Sequence, residues 1–129
     1  VAAIVIFDTD VLIWAQRGNS KAADLIDSTS LLQISVFTYM ELLQATSKKT
    51  QHKIIKDFLS ACNFTLLPIT ESIGHRALIY IEEYSLSNGI QAGDAIIAAT
   101  AVEQNSELVT ANVKHFKMIK ELKLVTFKP

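Results

Sequence analysis

Short apolar runs alternate with amphipathic stretches along this chain. Ala3–Phe7 (AIVIF) is an unbroken apolar run, which predicts a strand buried on both faces. Leu32–Val36, Phe64–Leu67, Leu108–Thr110 and Leu124–Phe127 predict further strands, and Pro68 closes the one that ends at Leu67. Between these runs the apolar spacing lengthens to that of a helix. Val11–Ala15 predicts a short helix broken at Arg17-Gly18-Asn19, and Ser20 opens another that runs to Asp27. Thr38–Ala45 and Thr50–Cys62 follow. Thr70–Tyr84 predicts a long helix whose wide apolar face carries Ile73, Ala77, Tyr80, Ile81 and Tyr84, with a turn after it at Asn88-Gly89. Asp94–Gln104 is apolar almost all round, the mark of a buried helix. A short helix is predicted near Lys114–Ile119. Regular alternation of strand and helix predicts an α/β layer fold with a mostly parallel sheet. In such sheets ligands sit beyond the carboxyl ends of the strands, where the strand order reverses.

Composition narrows the class. The chain has 129 residues, the length of one domain, and 50% are hydrophobic against 19% charged, which excludes intrinsic disorder. A single cysteine, Cys62, cannot close an internal disulfide or build a cysteine zinc framework, and it reads as a small core hydrophobe. The apolar runs fall well short of the roughly 18 residues that a membrane span needs. The first of them ends at Asp8 without a basic leader and does not read as a signal peptide. A reduced, cytoplasmic compartment is expected.

The net charge of −1 argues against a globally basic nucleic-acid binder, but the charge is unevenly spread. Residues 42–56 carry four lysines and no acid, residues 57–107 carry seven acids against Arg76, and residues 108–129 carry five lysines against Glu121. Lys49, Lys53 and Lys56 fall on one stripe of a helix whose opposite face carries Ile54, Ile55, Phe58 and Leu59. That polarity suits a solvated surface and equally one that faces phosphates.

Four acids fall at element ends on the predicted ligand-binding edge. Asp8 ends the first strand, Asp10 follows it, Glu41 lies in the helix after the second strand, and Asp94 opens the buried helix. Each has a structural reading beside the functional one. Glu41 stands three residues after Thr38, a capping-box spacing, and Asp94 and Asp10 can each cap a helix. Asp8 is the hardest to explain this way, since a strand end needs no cap. A carboxylate after an apolar run is costly unless it is paired, hydrogen-bonded or on a cation. Several together repel, and a divalent cation relieves the repulsion. Oxygen donors of this kind suit magnesium. His52, His75 and His115 lack a zinc-ligand spacing, and the first two read as surface or helix residues. Thr110 and Asn112 follow the fourth strand at the same edge, where Asn112 can support a metal or cap the short helix after it. His115 and Phe116 read as packing against the sheet.

FDTDVLIW, FTYMELLQA, GDAIIAAT and LVTANVKHF, in this order, resemble the motifs of PIN-domain ribonucleases, and among these the VapC toxins of toxin–antitoxin pairs. The resemblance runs from Ile4 to the C-terminus, so that residues 1–129 form a single PIN domain. It implies a three-layer α/β/α fold around a five-stranded, mostly parallel sheet. It also implies an endoribonuclease dependent on Mg²⁺ or Mn²⁺ that cleaves structured RNA, such as a tRNA or rRNA loop, with a metal-activated water. The family's acids fall on Asp8, Glu41 and Asp94, which would hold the metal. Asp10, Thr110 and Asn112 would support them from behind. At Asp10 many relatives carry Ser, Thr or Asn, and at Asn112 the commoner residue is Asp. Lys49, Lys53, Lys56, Lys114 and Lys117 would guide the RNA backbone. The implied partners are a small VapB-like antitoxin and a second copy of the chain, with the long apolar face of Thr70–Tyr84 and the Val11–Trp14 run as candidate surfaces. Two rival readings remain open at this point. IVIFDTDVL also fits the first motif of haloacid-dehalogenase-like phosphatases, with Asp8 as nucleophile. Alternatively, the chain is a catalytically inactive PIN module that only binds.

Overall fold

The computed structural model describes residues 4–129. Five parallel strands form one sheet: β1 (Ile4–Phe7), β2 (Leu31–Ser35), β3 (Thr65–Leu67), β4 (Glu107–Thr110) and β5 (Lys123–Thr126), in the order β3-β2-β1-β4-β5. All five predicted strands are present. Ala3, the predicted start of the first, lies outside the described residues, and Ile4 is 44% exposed, so that burial on both faces begins only at Val5. The helices are α1 (Thr9–Gln16), α2 (Ser20–Ser28), α3 (Val36–Gln44), α4 (Lys49–Ala61), α5 (Glu71–Asn88) and α6 (Ala92–Glu103). A single 3₁₀ turn at Val113–His115 replaces the short helix predicted near Lys114–Ile119. Among the described residues no helix is long and apolar enough to cross a membrane.

Strand alternation splits the core in two. Ile6 and Leu108 pack with the α5–α6 layer, around Ile73, Tyr80, Ala98 and Phe116. Val5, Phe7 and Val109 face the opposite layer, with Leu12, Ala22, Ile55 and Leu59. The sheet thus lies between two helical layers, as expected. The predicted apolar face of α4 is narrower than read: Ile55 and Leu59 are buried but Ile54 is 59% exposed. The Val11–Trp14 run is also not a free surface, because Val11 and Leu12 are fully buried on the inner face of α1 and only Ile13 and Trp14 are partly open.

Two junctions are tighter than the hydrophobic pattern suggested, and both shape the candidate site. α1 begins one residue after β1, so that Asp8 is both strand end and helix N-cap. α3 begins directly after β2, with the Ser35 hydroxyl accepting the Phe37 N–H at 3.1 Å. Its start is therefore Val36 and not Thr38, which places Glu41 beyond the first turn and removes the capping-box reading. The sheet order reverses at β1, which lies between β2 and β4. The crevice between the carboxyl ends of β1 and β4 is thus the expected ligand position.

Ile34 is fully buried on β2 and Leu86 fully exposed on α5. Ile34→Ala is expected to cost about 2–5 kcal/mol in urea denaturation. Leu86→Ala is expected to stay within about 0.5 kcal/mol of the native chain.

Candidate metal centre

β1 and β4 pair in parallel with Val5, Ile6 and Phe7 opposite Glu107, Leu108 and Val109. The Asp8 N–H donates to the Val109 carbonyl at 2.9 Å, extending the ladder by one step. That step brings Asp8 and Thr110 together: the Thr110 hydroxyl donates to Asp8 Oδ2 at 2.8 Å. Asp8 Oδ1 accepts the Thr9 N–H, also at 2.8 Å. Asp8 therefore does have a capping role, contrary to the sequence expectation. That role accounts for one oxygen, while the other faces a hydroxyl 102 positions further along the chain.

Asp10 lies in the first turn of α1 and reaches across to the segment after β4. Its Oδ2 accepts the Ala111 N–H at 3.2 Å and the Asn112 side-chain amide at 2.8 Å. Neither predicted cap is made as read. Asp10 is inside α1, and Asn112 precedes the 3₁₀ turn without a side-chain capping bond, its amide being committed to Asp10. The Asn112 backbone N–H donates to Thr110 Oγ1 at 2.9 Å. Asp8, Thr110, Asn112 and Asp10 are thus linked in one chain of hydrogen bonds.

Glu41 joins this chain of contacts through a residue that the sequence did not single out. The Thr9 hydroxyl donates to Glu41 Oε1 at 2.6 Å and lies 3.1 Å from the fully buried Thr38 hydroxyl. With one proton to give, Thr9 serves Glu41 and takes the Thr38 hydroxyl as a donor. A threonine next to an acid is too common in sequence to stand out. The available signal was the threonine three residues before Glu41, here a neighbour on the helix face and not a cap.

Asp94 is the third residue of α6, not its N-cap. The Gln91 N–H donates to its Oδ2 at 3.4 Å. Gly93 just before it lets α6 close on α3: a Cβ there would lie 2.6 Å from the Phe37 ring. His115 Nδ1 is 3.7 Å from Asp94 Oδ2. His115 therefore faces the acid, whereas Phe116 beside it is fully buried as expected.

Electrostatics reports a crowded anionic site. Burial, then the neighbouring Asp10 carboxylate and more weakly Asp94, push Asp8 up to about 7, against the opposing hydrogen bonds from Thr110 and Thr9. Burial also raises Asp10 and Asp94 above the usual carboxylate range, with His115 pulling both down. Asp8 thus senses both Asp10 and Asp94, and Glu41 is tethered to its neighbour Thr9. Among the described residues no three His, Cys, Asp or Glu side chains stand close enough to cage an ion together. The donor set still suits a hard cation, since magnesium takes few protein oxygens and keeps several waters. Asp10 Oδ1 is buried with no hydrogen-bond partner among the described residues, an acceptor of the kind a cation or its water satisfies.

The predicted basic residues are not drawn into this network. Lys49, Lys53 and Lys56 are exposed on α4, and Lys53 pairs with Asp57 at 2.8 Å. Lys114, inside the 3₁₀ turn, and Lys117, just after it, are exposed on either side of His115 in sequence.

The burial of Asp8 has a measurable consequence. An acid held at about 7 when folded, against 3.8 as its ordinary value, favours the folded state fully below the lower value and loses that contribution as pH rises through the upper one. Asp8→Asn is therefore expected to be more stable than the native chain at pH 8, by at least about 1 kcal/mol in metal-free thermal or urea unfolding. The gap should close towards pH 4. A gap that does not change with pH would show that the Asp8 charge is not what destabilises the fold.

Comparison with known proteins matches this architecture. A family model described as PIN domain matches residues 5–122. Ribonuclease VapC10 of Mycobacterium tuberculosis is 36% identical over 124 residues, covering 93% of this chain and 91% of that protein. Ribonuclease VapC19 of the same organism is 32% identical over 122 residues, covering 91% and 95%. A toxin–antitoxin complex from Klebsiella pneumoniae contains a chain that superposes with a TM-score of 0.79 at 30% identity, covering 95% of this chain and 96% of that one. The phosphatase reading finds no support in these matches. Matched by that model over residues 5–122 and 36% identical to a VapC ribonuclease, the chain belongs to the PIN-domain family, and within it to the VapC group.

Proposed function

We propose that this chain is a divalent-cation-dependent endoribonuclease, the toxin of a VapBC-type pair, acting on structured RNA. The observation that carries the reading is the Asp8–Thr110 contact at the reversal of strand order, with Asp10, Asp94 and Glu41 on the same edge. The relatives named as VapC ribonucleases and the solved toxin–antitoxin complexes support the activity and the partner. The residues that would hold Mg²⁺ or Mn²⁺ are Asp8, Asp94 and Glu41. Such an ion, when bound, lowers the pKa of a coordinated water and offsets charge on a scissile phosphate.

The chain's own part is to keep these acids ready. Thr110 and the Thr9 N–H fix both oxygens of Asp8. Thr9 holds Glu41 by a single hydroxyl bond, a tether that a turn of the threonine side chain releases. Asn112 and the Ala111 N–H hold Asp10. Lys114 and Lys117 next to the site, and Lys49 and Lys56 on α4, would attract phosphates. Bases splayed from a loop give such a surface something to read. For the antitoxin, an open trough between α1, α3 and α4 presents exposed Ile54 and half-buried Ile13, over buried Leu42 and Ile55, to an apolar segment. The exposed Leu78 and Ile79 on α5 suit a second copy of the chain.

Purified chain freed of any antitoxin is expected to cleave structured RNA with Mg²⁺ or Mn²⁺ and to stop with EDTA. Removing a ligand should have a larger effect than disturbing its support, so Asp94→Asn is expected to lower the cleavage rate by at least about 100-fold while the fold persists by circular dichroism. Metal-independent cleavage would refute the mechanism, and binding of RNA without any cleavage would favour an inactive binding module. Because protons and metal compete for Asp8, Mn²⁺ affinity measured by calorimetry should rise from pH 6 to 8, by up to about tenfold per unit below 7, and then level off. Neutralising Lys49 and Lys56 should reduce the salt slope of RNA binding by about 0.7 for each phosphate that is no longer neutralised. An unchanged slope would leave these lysines merely solvated.

A further inference from the structure

We propose that Asp10 and Asn112 act as one cation-facing pair, in which Asp10 carries the charge and Asn112 holds it in place. The inference rests on the metal-dependent reading above and assigns one charge of the site to Asp10, a residue that caps nothing. The pair is in direct contact, with the Asn112 amide donating to Asp10 Oδ2 at 2.8 Å although the two are 102 positions apart. The same oxygen takes the Ala111 N–H at 3.2 Å, so that Oδ2 is saturated from the β4 side. Asp10 Oδ1 has no such partner among the described residues and is buried. A carboxylate whose one oxygen is clamped by two donors, while the other is buried and unsatisfied, is an acceptor waiting for a cation or a cation-bound water.

The contact also dictates how many charges these two positions carry. Put a carboxylate at both, and two anions meet at hydrogen-bond distance; put an amide at both, and the pair loses its charge. One acid and one amide satisfy the contact, and in either order one anion stays within hydrogen-bond reach of the other position. Asn112 therefore acts through Asp10 as a positioning residue. Its backbone N–H makes the same connection on the other side, donating to the Thr110 oxygen whose proton goes to Asp8 Oδ2.

The test is Mn²⁺ binding to the full chain, followed by calorimetry or by the loss of the free-ion paramagnetic resonance signal, with no RNA present. Four variants are compared with the native chain: Asp8→Asn, Asp10→Asn, Asn112→Asp and the reciprocal exchange Asp10→Asn/Asn112→Asp. Asp10→Ser serves as a second uncharged variant should Asp10→Asn fail to fold. Loss of the Asp10 charge is expected to weaken Mn²⁺ binding by about 10-fold or more. The exchange is expected to bring it back to within about threefold of native, so that removing the acid from position 10 matters far less once position 112 has one. If Asp8→Asn abolishes binding but Asp10→Asn leaves the titration unmoved, this inference fails and the nuclease reading stands. The same holds if Asp10→Asn weakens binding equally with Asn or Asp at position 112. If the native chain binds no Mn²⁺, the nuclease reading itself falls, and the pair with it.

Discussion

A carboxylate that has left water must be compensated by something, and at Asp8 the compensation is a hydroxyl from the neighbouring strand. The parallel register of β1 and β4 carries Asp8 alongside Thr110, and the hydroxyl turns its proton to the acid. From this contact the rest of the edge follows. Thr110 is fixed in turn by the Asn112 N–H, Asn112 reaches Asp10, and Thr9 on the other side of Asp8 reaches Glu41. The sheet contributes the geometry by reversing its order at β1, which opens a crevice just where β1 and β4 end.

The network does not fully neutralise what it gathers. Hydrogen bonds lower the Asp8 pKa, yet burial and the neighbouring acids outweigh them. The metal-free fold therefore carries an electrostatic cost on this edge, and the hydrophobic layers on either side of the sheet offset it. The opposite arrangement appears between α5, α6 and the loop before β5, where Arg76 pairs with Glu103 at 2.6 Å and Glu121 at 2.9 Å, and the Tyr80 hydroxyl also donates to Glu121. There each acid has a partner, and the Tyr80 bond first, then Arg76, hold Glu121 below the usual carboxylate range. One cluster is satisfied as it stands and the other is not. That contrast is the physical ground for placing chemistry at the second.

The sequence made the strands, the α/β class and the acids at the strand ends legible, because apolar runs and isolated carboxylates are strong signals. It misplaced the start of α3 by two residues, and with it the role of Glu41, because Ser35 caps a helix that follows its strand without a loop. Asp8 looked free of any capping duty for the same reason: the turn into α1 has no length. The link from Thr9 to Glu41 was hidden, since nothing in the spacing of two threonines says that their hydroxyls meet at 3.1 Å. The Asp10–Asn112 contact was equally beyond reach, as it depends on the register of β4 against β1. The lysine stripe was legible as a pattern, but the pairing of Lys53 with Asp57 and the exposure of Ile54 emerge only from how α4 lies on its neighbours.

Asp8, Glu41 and Asp94 are proposed to share one doubly charged ion at the end of β1. Diffraction from crystals grown with Mn²⁺, recorded where manganese scatters anomalously, locates that ion directly. An anomalous peak is expected at the carboxyl end of β1, about 2 Å from an oxygen of Asp8, with Asp94 and Glu41 bound to it directly or through water. A fully occupied peak elsewhere on the molecule, with this edge empty, would contradict it.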